Sequence, residues 1–220
     1  MDPPQGGDAR QRLIDAGREV FGSFNLEGAT TRQIAERAGV NQAAIAYYFG
    51  GKEGLYEAVV RHFVATKFEF VRPVVVEVQQ HLAAGVPRKQ DALTLLKRLL
   101  LVLLETVLTQ GAHSTWARIV MREQMQPTPA FDFLYEQAVC RVHETISRLL
   151  GTILGRPGTD RMVVLRSHML VGQVLIFLSG QETIKRRLSL EGYSESEVAL
   201  IKEALSEQLD LLRSEIKEEA

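Results

Sequence analysis

Cysteine is almost missing from this 220-residue chain: Cys140 stands alone, so no internal disulfide can form. Its place in an apolar helical pattern predicts a buried thiol and a reducing, cytoplasmic setting. Histidine is sparse and scattered. His62, His81, His113, His143 and His168 make no His-Glu-x-x-His pair, and no Cys/His cluster has zinc spacing, so no metal site is expected. There is no Gly-x-Ser-x-Gly elbow and no dinucleotide fingerprint, and Gly155-Arg-Pro-Gly158 lacks the Gly-Lys-Ser/Thr ending of a phosphate loop. Catalysis and a cofactor therefore have no positive support. The net charge is only −1, so the molecule as a whole does not attract nucleic acid. The first ten residues, MDPPQGGDAR, contain no apolar core of the kind a secretory signal needs. The run 93–108 reads as the most hydrophobic, yet it contains Lys97, Arg98 and Glu105 and is too short to span a bilayer. It reads as a core helix, and no membrane partner is expected.

What is present is helical patterning in a chain that is 45% hydrophobic, enough for one large or two modest domains. Asp8 and Gln11 have capping spacing ahead of Leu13, Ile14, Gly17, Val20, Phe21 and Phe24, which share one helical face. A later helix is predicted from Lys52 to about Val71, with Pro73 ending or kinking it. Further helices are predicted over 91–109, 113–124, 131–153 and 160–180. A last one starts at the Ser194/Glu197 capping pair and carries Val198, Ile201, Leu205, Leu209, Leu212 and Ile216 at spacings of three and four. The fold class is all-α. The final stripe must be buried, either inside one molecule or against a second copy.

The most constrained stretch is Gly28 to Tyr56. Thr30 and Gln33 form a capping box, Ile34, Ala35 and Ala38 share a face, and Gly39 suits a left-handed C-terminal position. Asn41 is a second N-cap, so another short helix runs from about Gln42 to Phe49 with Ile45 and Phe49 inward. Two short helices across a glycine turn make a helix-turn-helix, or else an ordinary helical hairpin. In the first case the small side chains of Ala43 and Ala44 allow close approach to base edges, and Gln42 can pair with adenine. Tyr47, Tyr48 and Lys52 suit phosphates, and Arg10, Arg12, Arg32, Arg37 and Lys52 supply a local positive edge.

The residues Thr-Thr-Arg-x-Ile-Ala-x-x-Ala-Gly-Val, Ile-x-Tyr-Tyr-Phe and Gly-x-Lys-Glu-x-Leu between Thr30 and Leu55 closely resemble the DNA-binding domain of TetR-family transcriptional regulators. That resemblance implies phosphate contacts by Thr31, Tyr48 and Lys52, and base contacts by Arg32, Gln42, Ala43, Ala44 and Tyr47. Ala46 stands where many members carry Tyr. The tracts 122–128, 168–172 and 180–184 resemble the C-terminal domain of the CecR-type subfamily. The resemblance implies a three-helix DNA-binding domain over 8–54, a larger helical ligand-binding domain over 55–217, and a homodimer through the last two helices. Its partners would be a double-stranded operator and a small, largely apolar effector.

A helical domain rich in Leu, Val, Met and Phe can enclose an apolar cavity. The apolar and amide candidates for lining it are Phe70, Leu100, Leu104, Trp116, Met121, Phe133, Met169, Gln173 and Phe177, each also open to plain core packing. Arg122, Gln124 and His168 are polar residues in apolar tracts, suited to orienting a ligand or to hydrogen bonds between elements. A ligand-responsive repressor released from a palindromic operator is the first expectation. An all-α enzyme or carrier without operator binding is the alternative, and a protein-interaction adaptor is a third.

Overall fold

The structure, a computed structural model, describes residues 6–66, 71–111 and 115–216, and every regular element among these is helical. The chain folds into two compact units, whose bounds cut across the expected 54/55 division.

The first unit holds α1 (Gly6–Ser23), α2 (Thr31–Ala38), α3 (Ala43–Phe49), α4 (Lys52–Thr66), α7 (Thr115–Met125) and α8 (Ala130–Leu134). Helix α1 packs against α2, α4 and α7, and α4 also against α3 and α8. Leu13, Phe21, Ile34, Ile45, Leu55 and Ile119 are fully buried there. The ring of Phe21 meets Tyr56 edge-on at 5.0 Å, the geometry aromatic quadrupoles favour.

Two readings of α1 change. It begins at Gly6, so Asp8 lies inside the first turn beside Arg12, 3.7 Å away, and Gln11 donates to Asp15 instead of capping. Phe24 falls beyond the helix end and is 46% exposed, because the chain turns there before the 3.6-residue period can return it to the core.

The second unit holds α5 (Arg72–Ala84), α6 (Lys89–Thr106), α9 (Cys140–Leu154), α10 (Arg161–Ser179), α11 (Gln181–Leu188) and α12 (Glu195–Asp210). Helix α6 is central to it, touching α5, α9, α10 and α12. Leu96, Leu99, Leu100 and Leu104 of α6 meet a core that also contains Ile146, Leu149, Leu150 and Ile153 of α9. Pro73 sits in the first turn of α5, where its missing N–H costs nothing. The helix predicted over 131–153 spans Ala130 to Leu154, with a π segment at Tyr135–Val139 joining α8 to α9. A second π segment, Val107–Gly111, ends α6. Cys140 is half-buried, not buried, at the start of α9.

The C-terminal region departs most from expectation. Helix α11 stands between the two helices read as the last pair, and α12 finishes as a 3₁₀ turn at Leu211–Ile216. Helix α10 is the one helix among the described residues long and apolar enough to cross a membrane. It forms one wall of the second unit: Val163, Ser167, Val171 and Val174 are buried, and the helix packs on α9 and α6.

Candidate nucleic-acid interface and effector residues

The α2–turn–α3 segment is held by local hydrogen bonds that its residue types dictate. Thr30 Oγ1 accepts from the Gln33 N–H at 3.2 Å, and Gln33 Oε1 accepts from the Thr30 N–H at 3.0 Å, closing the capping box. Gly39 takes φ +63°, and the N–H groups of Gly39 and Val40 donate to Glu36 O and Ala35 O. That pattern is the Schellman closure, whose left-handed residue glycine adopts without strain. Asn41 Oδ1 then accepts from the Ala43 N–H at 2.8 Å and starts α3 one residue later than expected. Ile45 is buried and anchors α3, while the ring of Phe49 is half-buried under the Arg10 guanidinium, 5.3 Å away.

Outward from this frame stand the residues expected to read DNA. Arg32, Gln42, Ala43 and Tyr47 are exposed, Tyr47 at 82%, while Thr31, Ala44, Tyr48 and Lys52 are half-buried. Gln42 Nε2 donates to Thr31 Oγ1 at 2.8 Å, which ties the first turn of α2 to the start of α3. The Tyr47 and Tyr48 rings meet edge-on at 4.9 Å.

The expected positive edge is muted, because its arginines already have partners. Arg32 Nε lies 2.7 Å from Glu36, which raises the guanidinium pKa through that hydrogen bond. Arg37 pairs with Glu19, and Arg12 with Asp8. Lys52 Nζ donates to Ala29 O at 3.1 Å and Glu27 O at 3.4 Å, so this lysine also clasps the turn ahead of α2.

The residues proposed to line an effector cavity divide between the units. Leu100 and Leu104 are fully buried in the second. Trp116 is buried in the first, its ring 5.0 Å from Phe63 and 6.5 Å from His62. Met121 and Phe133 are half-buried there, and the Arg61 guanidinium lies 4.0 Å over the Phe133 ring. Gln124 is exposed, and Arg122 is committed to backbone carbonyls of Phe21 and Phe24. In the second unit His168 is exposed and stacks on His143 at 5.4 Å, and Phe177 is half-buried with its carbonyl accepting from Tyr193. Met169 and Gln173 line a cavity of about 260 Å³ together with Leu150, Leu170 and Leu209. Gln173 Oε1 is buried there without a hydrogen-bond partner. Phe70 lies outside the described residues. No three His, Cys, Asp or Glu side chains among the described residues gather into a metal-ligand set.

One network was not foreseen. Glu123, 1% exposed, accepts from the Tyr56 hydroxyl at 2.6 Å and from the Thr128 N–H at 3.1 Å. Burial, reinforced by the Glu123 carboxylate, pushes the Tyr56 phenol well above its ordinary range, so it remains a donor. In the sequence Glu123 is one acidic residue in a helix, and nothing local marks it as buried.

Residues 13–59 match the model of bacterial regulatory proteins of the tetR family, and residues 92–216 match the C-terminal domain of the HTH-type transcriptional dual regulator CecR. CecR of Shigella flexneri is 33% identical over 208 residues, covering 94% of this chain and 92% of its own. BetI of Serratia proteamaculans is 41% identical over 63 residues, only 29% of this chain. Solved structures share the fold, among them the following two. A TetR-like transcriptional regulator from Rhodococcus sp. RHA1 has TM-score 0.59 at 20% identity, covering 96% of this chain and 97% of its own. HlyIIR, a hemolysin II transcriptional regulator, has TM-score 0.60 at 19% identity, covering 92% and 99%.

Proposed function

Because this chain belongs to the TetR family of bacterial transcriptional regulators, with a CecR-type C-terminal domain, we propose that it is a homodimeric, cytoplasmic repressor whose operator is palindromic and whose release is triggered by a small, largely apolar molecule. The observation that carries the DNA reading is the α2–turn–α3 frame with Arg32, Gln42, Ala43 and Tyr47 exposed on it. Gln42 and Ala43 stand at the start of the recognition helix, Tyr47 further along it and Arg32 on the helix before it, positions from which side chains reach base edges while phosphate contacts set register. In this reading Thr31, Tyr48 and Lys52 take the second role, Lys52 with the part of its donor capacity that the two carbonyls leave over.

Support for self-association comes from α10. Leu165, Met169 and Ile176 are 54%, 65% and 56% exposed along one stripe of that helix, and Leu211 after α12 lines the same cavity as Met169. An exposed apolar stripe of this size needs a partner, and a second copy offers the same stripe across a two-fold axis. Such a dimer presents two recognition helices about 34–36 Å apart to successive major grooves.

Selecting bound fragments from random DNA tests the proposal: a recovered palindrome supports it, and failure to enrich any sequence removes it. With the palindrome in hand, Arg32→Ala or Tyr47→Ala should relax base preference, whereas Lys52→Ala should weaken all duplexes alike. The Shigella relative is a transcriptional dual regulator, which favours one second reading, in which this chain also activates. Reporter fusions carrying the recovered site upstream or downstream of a promoter distinguish the two.

A further inference from the structure

Helix α7 lies far along the chain from the reading head, yet it supplies hydrogen bonds that α1 cannot make for itself. A helix C-terminus leaves its last carbonyls without intrahelical donors, and it favours nearby cations. Helix α1 has no basic residue in its last turn. Arg118 Nε on α7 donates to Gly22 O at 2.7 Å, and an Arg122 terminal nitrogen donates to Phe21 O at 2.7 Å and Phe24 O at 2.6 Å. The two helices also touch through Gly22, where an added Cβ would overlap the Thr115 side chain.

The same turn of α7 grips α4. Tyr56 on α4 donates to Glu123, and the carboxylate is completed by the N–H and hydroxyl of Thr128. A buried carboxylate satisfied on this scale is costly to disturb, because removing a partner leaves charge without a donor. Helices α1 and α4 are the two that flank the helix-turn-helix in the chain: 24–30 leads from α1 into α2, and Gly50-Gly51 leads from α3 into α4. All of these contacts lie within the first unit.

We infer that Arg118, Arg122 and Glu123 are positioning residues of the DNA-reading head. They hold α1 and α4 at one separation, and so fix where α2 and α3 present their outward side chains, without touching DNA. The inference rests on the DNA-binding reading proposed above.

The test compares wild type with Arg122→Ala, Arg122→Lys and Tyr56→Phe. Affinity is measured for the recovered operator and for a scrambled duplex, alongside thermal midpoints. Spin labels at Ala46→Cys on α3 and Met125→Cys on α7, both exposed and placed in a Cys140→Ser background, report distance distributions in folded protein without DNA. The expected result is an operator-to-scrambled ratio about tenfold lower for Arg122→Ala and Tyr56→Phe, the scale of one charge-assisted hydrogen bond, with broadened distances. Arg122→Lys should restore both in large part, since an ammonium can still donate to the carbonyls. Distances as narrow as wild type in the folded variants, or ratios unchanged within about twofold of the wild-type value, would overturn the inference. If Arg122→Ala does not fold, Tyr56→Phe, which removes only a hydroxyl, decides alone. If wild type enriches no operator, the DNA reading fails and the label distances still judge the clamp.

Discussion

At the scale of single residues, the reading head is defined by competition for its cations. Arg32 is exposed, but Glu36 one turn along already occupies its guanidinium. Engaging a base or phosphate requires that bond to be exchanged. Glu36→Gln should therefore raise affinity for both operator and non-operator DNA a few-fold at low salt, with the gain shrinking as salt screens the pair, as fluorescence anisotropy titrations would reveal. No gain at any salt would mean that Arg32 stays with Glu36 in the complex. In the second unit, burial first and the His168 charge second hold the His143 imidazole below its usual range. The unfolded chain then binds this proton at a higher pH than the folded one does, so the associated stability is present above about pH 6.5 and is lost as pH falls through the folded value. Melting curves from about pH 7.5 down to 5.5 should show a falling midpoint, and His143→Gln should flatten that part of the profile.

At the scale of elements, the short helices depend on caps and close approaches more than on length. Eight and seven residues are too few for α2 and α3 to persist alone, so the capping box, Gly39 and the burial of Ile34 and Ile45 hold them. The α3–α4 corner is tightest at Gly54, where an added Cβ would overlap the Phe49 carbonyl oxygen. That atom is backbone and cannot swing aside. Gly54→Ala should lower stability by about 1–3 kcal/mol in denaturant titration and weaken operator binding, because α3 must shift to admit the methyl. Unchanged affinity in a destabilised Gly54→Ala protein would show that α3 tolerates displacement on DNA.

At the scale of the whole molecule, the governing feature is the uncovered side of α10. Met169→Glu should place a carboxylate into the proposed two-fold contact and convert dimer to monomer in analytical ultracentrifugation, with operator affinity falling because two half-sites are no longer linked. The second unit itself should remain folded, since residue 169 is 65% exposed in the single chain. A wild-type protein that sediments as a monomer would sink the dimer before any variant is made. Linkage gives the remaining check. If effector lowers operator affinity a hundredfold, about 2.7 kcal/mol of coupling, operator must lower effector affinity by the same factor.

The all-α class and the α2–turn–α3 frame could be read directly from the chain, because caps, a left-handed glycine and apolar spacing act within a few residues of one another. Thr30, Gly39, Asn41 and Ile45 all perform the roles their types suggest. Tertiary structure alone decided the rest. Only packing showed that Glu123 is buried against Tyr56, that Arg122 caps a helix end about a hundred residues earlier, and that α10 has one apolar face covered and one not. Those facts depend on partners distant in sequence, and no local period or spacing encodes which side of a helix another segment will cover.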